Sequence, residues 1–156
     1  MKRITAVLLL AALLLVAAGC FAEAAPEEMT CEGLAGAVLA SAEFRELTDM
    51  TERYVEKYLI LSAEDLDEWV FKRDATRGTP EMILLLKVKA GADQALIRQS
   101  AQELLEEQRL QYRDYQPGEM FKLEAARVLE NGPFLALIVS PDAAASYAAL
   151  GEGWKE

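Results

Sequence analysis

Glu64, Asp65, Asp67 and Glu68 place four carboxylates in one short stretch. Paired carboxylates can do general acid and base work without an imidazole, provided that they stand about 5 to 9.5 Å apart across a cleft and one is partly desolvated. With 26 Asp and Glu among 156 residues, such a run is equally what a solvated acidic turn looks like. Asp65-Leu66-Asp67 lacks the glycine and the distal glutamate of a calcium loop, so no metal ligands are assigned. There is no histidine, which removes Ser-His-Asp and Cys-His nucleophilic catalysis, histidine-held metals and imidazole proton relays. No catalytic and no cofactor-binding residues are assigned.

Two cysteines remain, Cys20 and Cys31. Cys31, beside Glu32 at the start of an expected helix, is placed where a helix dipole lowers a thiol pKa. Its neighbours Leu34 and Leu39 instead favour a small, buried, inert side chain. Tyr54, Tyr58, Tyr112, Tyr115 and Tyr147, with Trp69 and Trp154, fit either a glycan or peptide groove or ordinary core and rim packing. Lys72-Arg73 with Arg77 forms a compact basic spot on an acidic chain, suited to an anionic wall polymer or simply to a charged hairpin edge. Arg113 and Arg127 carry no such argument.

The N-terminus carries an address. Met1-Lys2-Arg3 is basic, Ile4 to Ala18 is uncharged and apolar or small, and the run closes on Val16-Ala17-Ala18-Gly19-Cys20. That ending resembles the lipobox of bacterial lipoproteins, with Ala17 in place of the usual leucine. The resemblance implies cleavage before Cys20 and acylation of its sulfur. Two acyl chains anchor stably where one holds marginally, since each buried methylene contributes about 0.8 kcal/mol. Two other readings stay open: cleavage after Ala22-Glu23-Ala24, which frees the domain, and retention of Ile4 to Ala22 as a membrane span.

The chain therefore divides into a signal peptide, residues 1–19, a lipidated N-terminus and tether, residues 20–29, and a single α+β domain, residues 30–156. Loss of the signal removes Lys2 and Arg3 and no acid, which takes the formal net charge from -10 to -12. Ala22 to Met29 reaches about 28 Å when fully extended. So acidic a body is unsuited to nucleic acid and would stay off an anionic bilayer, leaving the lipid on Cys20 as the contact with the membrane. With Cys20 acylated, Cys31 has no disulfide partner.

Local patterns predict the elements that position these groups. Thr30 caps a helix over Cys31 to Ala42, and Thr48 or Asp49 caps a second over Met50 to Tyr58. Ser62 to Asp65 is a short cap and turn. Glu68 to Arg73 and Met82 to Lys89 read as a hairpin around Ala75 to Pro80. Ile97, Ala101, Leu104 and Leu105 stripe a long helix over Ala92 to Arg113. After the turn at Tyr115 to Gly118, Ala125 to Glu130 and Phe134 to Ser140 flank Asn131-Gly132, a type I′ hairpin signal. Ser140-Pro141 opens a last helix through Tyr147 to Leu150. The expected fold is α+β: a mostly antiparallel four-stranded sheet of two hairpins, covered on one face by the long helix, with N-terminal helices and a short C-terminal helix.

These residues resemble a known family. Tyr58 before a short acidic turn, Glu81-Met82-Ile83-Leu84 opening a strand, the long amphipathic helix, Tyr115-Gln116-Pro117 and Asn131-Gly132 leading into Leu135 to Ser140 look like bacterial lipoproteins grouped as domain of unknown function 4358. The resemblance spans about Cys31 to Leu150. It implies an extracytoplasmic, cell-membrane location and transfers no active site. The function expected is a non-catalytic binding or assembly module, with an envelope protein or a cell-wall polymer as partner. The alternative is a histidine-free wall hydrolase using paired carboxylates. A two-lobed solute receptor does not fit a chain of this length.

Overall fold

The computed structural model describes residues 29–156. Cys20, the signal-like run and the tether up to Glu28 lie outside the described residues.

Two apolar strands dictate the architecture. In β3 (Met82–Val88), Met82, Leu84, Leu86 and Val88 point to one side while Ile83 and Leu85 point to the other. The neighbouring β5 (Phe134–Val139) repeats this, with Leu135, Leu137 and Val139 on one side and Phe134, Ala136 and Ile138 on the other. Strands apolar on both faces must be covered on both faces, and these form the sheet centre, antiparallel from Met82 opposite Val139 to Lys87 opposite Phe134. Outside them lie β2 (Leu66–Arg73) and β4 (Val128–Asn131), and a two-residue edge strand β1 (Thr48–Asp49) pairs with the end of β2. The order is β1-β2-β3-β5-β4, five strands where the sequence suggested four.

One face carries the long helix α3 (Gln94–Tyr115) together with α2 (Glu52–Leu59) and the short α4 (Met120–Ala125). The other carries α1 (Cys31–Ser41) and α5 (Ala143–Ala149), which pack on each other. The α+β class holds, but helices cover both faces of the sheet rather than one. Leu104, Leu105 and Tyr112 are buried on α3, and each such leucine contributes about 1.5 to 3 kcal/mol. Among the described residues, no helix is long and apolar enough to cross a membrane.

Several boundaries differ from the sequence expectation for identifiable reasons. Thr48 and Asp49 pair with Arg73 and Lys72 as a strand, so they do not cap α2, whose N-cap is Thr51. Ala125, expected to open a strand, instead ends the helix Met120–Ala125, and β4 starts at Val128. That helix was not expected from the sequence; Arg109 of α3 holds its end by donating to the Leu123 and Ala126 carbonyl oxygens. In the last hairpin Asn131 is a strand residue opposite Phe134, and Gly132 alone turns with positive φ, 56°. Pro133 cannot take the second positive φ of a type I′ turn. Asp142, not Ser140, caps α5, its carboxylate accepting from the Ala145 N–H at 3.0 Å. A bulge at Asp67 lets Leu66 and Phe71 face the same core despite their odd spacing.

Candidate functional site

The four carboxylates of the predicted acidic stretch sit in different surroundings. Glu64 and Asp67 are exposed, and Asp65 ends a 3₁₀ turn (Ala63–Asp65) capped by Ser62. Glu68 is spent on structure: it accepts from Lys87 Nζ at 2.8 Å and from the Cys31 N–H at 3.0 Å, and these bonds hold its carboxyl below the ordinary carboxylate range. Among the described residues no group of three or more acids and cysteines is placed to hold a metal ion.

Cys31 sits in the α1 core with Leu34, Ala35 and Val38, while Leu39 is on the surface. Burial, reinforced by Glu68, pushes its thiol up to about 12, so it is a neutral thiol at any physiological pH. The remaining aromatic candidates divide in the same way. Tyr147 OH lies 3.2 Å from the Ile138 carbonyl oxygen and accepts from the Arg127 N–H at 2.9 Å, Trp154 Nε1 donates to the Leu150 carbonyl at 3.1 Å, and Trp69 packs on the core. Tyr115 is exposed at the end of α3, edge-on to Tyr112.

Two polar regions stand out, and sequence patterns revealed only one of them. The first is a closed cluster at the sheet end. Lys122 Nζ donates to Glu81 Oε1 and Glu119 Oε2, both at 2.6 Å, and to Thr79 Oγ1 at 3.1 Å, which satisfies all three of its protons. Glu81 Oε2 accepts from the Arg45 N–H at 2.6 Å, and Thr79 Oγ1 lies 2.8 Å from Glu119. Lys122 and Glu81 are 6% and 2% exposed. The bond from Lys122 holds the Glu119 carboxyl below its ordinary range. Beside it, burial pushes Asp74 up, but bonds from Thr76 Oγ1, the Thr76 N–H and the Thr79 N–H outweigh that and keep it low. The i, i+3 spacing of Glu119 and Lys122 is a weak sequence signal, but nothing local announces Glu81 as their partner.

The second region is open. It is a groove between the start of α2, the exposed side of α3 and the turn from Asp74 to Glu81. One lobe holds about 240 Å³ and the other about 590 Å³, and they meet at Tyr58, Arg73 and Arg77. Tyr54 stacks on Tyr58 with ring centroids 6.0 Å apart and planes 16° from parallel. The Arg73 guanidinium carbon lies 5.1 Å from the Tyr58 ring centroid. Arg73 is only 6% exposed, yet its guanidinium has no ion pair or hydrogen bond among the described residues. Gln108, 2% exposed, lines the larger lobe with its Oε1 unpartnered. The structure thus unites Tyr54, Tyr58, Arg73 and Arg77, while Lys72 does not line the groove and is engaged by Asp49 at its border. Gln108 escaped notice although it continues the Leu104 stripe at i+4, where a polar residue is the anomaly.

The turn bearing Arg77 is fixed rather than loose. Tyr112, fully buried, points its hydroxyl at the Thr79 carbonyl oxygen at 2.7 Å and lies 3.2 Å from that of Arg77. Arg77 holds a left-handed φ of 61°, which a side chain rarely adopts without a reason. A third hollow, of about 580 Å³ beside α3, also carries arginines. There each has a carboxylate: Arg98 with Glu130 at 3.5 Å, Arg109 with Glu106 at 2.6 Å and Arg127 with Glu156 at 3.0 Å. In that hollow every arginine has an anion, whereas Arg73 in the groove has none among the described residues.

The sequence model of the family described as Domain of unknown function (DUF4358) matches residues 40–140. That span contains both the closed cluster and the groove. No curated protein and no solved structure matches the chain.

Proposed function

The chain belongs to the DUF4358 family, and from that premise we propose that it is a lipid-anchored domain held outside the cytosol that acts by non-covalent binding or assembly. Acylation of Cys20 supplies the membrane contact, and an envelope protein or wall polymer supplies the partner. The segment Val16 to Cys20, after a basic start and an uncharged run, supports the anchor. The observation that carries the binding role is Arg73. Its guanidinium opens on the groove with no anion bound to it among the described residues, so it can pair with one that a ligand brings.

A two-carboxylate hydrolase draws less support. Glu81 and Glu119 both bind Lys122, and its ammonium lies between them, where a scissile bond would have to sit. Crosslinking of the native protein in its cells, with identification of what it touches, tests the role: a recurrent envelope partner supports it, and release of soluble fragments from wall polymer by the purified chain overturns it. Metabolic labelling with a fatty-acid analogue tests the anchor. Wild type should take up label and Cys20→Ala should not.

A further inference from the structure

We infer that the groove between α2, α3 and the β2–β3 turn binds the free carboxylate end of a peptide. This rests on the reading of the domain as a binding module and names the chemistry that the module recognises.

Three features define the ligand. Arg73 offers a planar fork of donors, already oriented by Tyr58 and not drawn off by any acid among the described residues, which matches a carboxylate in two-point contact. Gln108 Oε1 has no donor among the described residues and its residue lines the larger lobe, so a turn of this side chain toward the lobe lets it accept an N–H or O–H from a ligand. Tyr54, 44% exposed, and Met50 line the smaller lobe and offer an apolar wall to one side chain. A phosphodiester supplies the charge but no donor. A peptide end supplies all three at adjacent positions: terminal carboxylate, amide N–H and side chain. Lys57, Arg73 and Arg77 border the groove with Asp49, Asp74 and Glu107, but Asp49 is paired with Lys72 and Asp74 is taken up by Thr76 and Thr79, which leaves the cations available to an anion.

The test uses the full-length chain purified in detergent and a library of N-acetylated tripeptides, with free or amidated carboxyl ends and with inorganic phosphate as a further arm, read by calorimetry. Free acids should bind, and their amides should bind about 10- to 100-fold more weakly. Arg73→Met should lose binding by a similar factor and Gln108→Met by about 3- to 10-fold, each with an unfolding midpoint no lower than wild type. Arg77→Gln, on an exposed side chain, should weaken binding without touching the fold. Equal binding of acids and amides, no binding of either, or full competition by phosphate at matched affinity overturns the assignment. The Cys20→Ala chain should bind the same peptides as wild type. Loss of lipid labelling with binding intact therefore faults only the anchor, while intact labelling without peptide binding faults only the groove.

Discussion

The closed cluster around Lys122 and the open groove around Arg73 flank the same turn and use the same chemistry to opposite ends. In the cluster, three protons of one ammonium meet three oxygens, and the second oxygen of Glu81 is taken by a backbone N–H. In the groove, the guanidinium of Arg73 meets a ring face and the open hollow, with no anion bound to it among the described residues. A satisfied buried network fixes the fold, whereas donors left open can take a ligand, the role proposed for the groove. Tyr112 joins the two, since its hydroxyl reaches both Thr79 of the cluster and Arg77 of the groove.

The strongest way to break this contrast is to remove the cation on each side. Lys122→Met strands Glu81 beneath the surface and should cost about 3 to 5 kcal/mol in urea unfolding. Should the protein tolerate it with less than about 1 kcal/mol lost, the cluster is not the structural clamp described. Tyr112→Phe keeps the ring but leaves the Thr79 carbonyl without its donor, and should cost about 1 to 3 kcal/mol. The same change should loosen the turn, which faster amide exchange at Arg77 and Gly78 would reveal.

Titration sharpens the comparison from another side. Glu119 and Asp74 have ordinary values of 4.5 and 3.8 and are both held lower in the fold. As pH falls through that range the unfolded chain takes up protons before the folded one, so the stability these groups add is present above it and drains below it. Urea midpoints should be flat near neutrality and should decline in acid, and Glu119→Gln should soften the decline. Arg73→Met closes the series with the smallest effect on stability, between no change and a gain of about 1 kcal/mol. A loss as large as that of Lys122→Met would make the two regions equivalent and erase the distinction.

What could be read in the chain beforehand follows from how local each signal is. The stripe of α3, the apolar run of β3 and the cap at Ser62 are encoded within a few residues, and they stand as expected. The fifth strand was hidden because Thr48 and Asp49 are too short a run to show any alternation, and only their partners Arg73 and Lys72 make them a strand. The short α4 was hidden because its end is held by Arg109, which lies elsewhere in the chain. The basic and aromatic residues of the groove were visible as types, but their convergence depended on α2 bringing Tyr58 over Arg73. Glu81 was read only as a strand opening, because its burial is decided by Lys122.

The backbone at Arg77 has one further consequence. With φ at 61°, that position suits glycine better than any residue with a side chain, and Gly78 follows immediately. A swap to glycine there should relax the loop and raise the melting temperature slightly while stripping a charge from the rim. The chain keeps arginine in a posture that opposes its own comfort, which is how a molecule looks when a gesture outward matters more than repose.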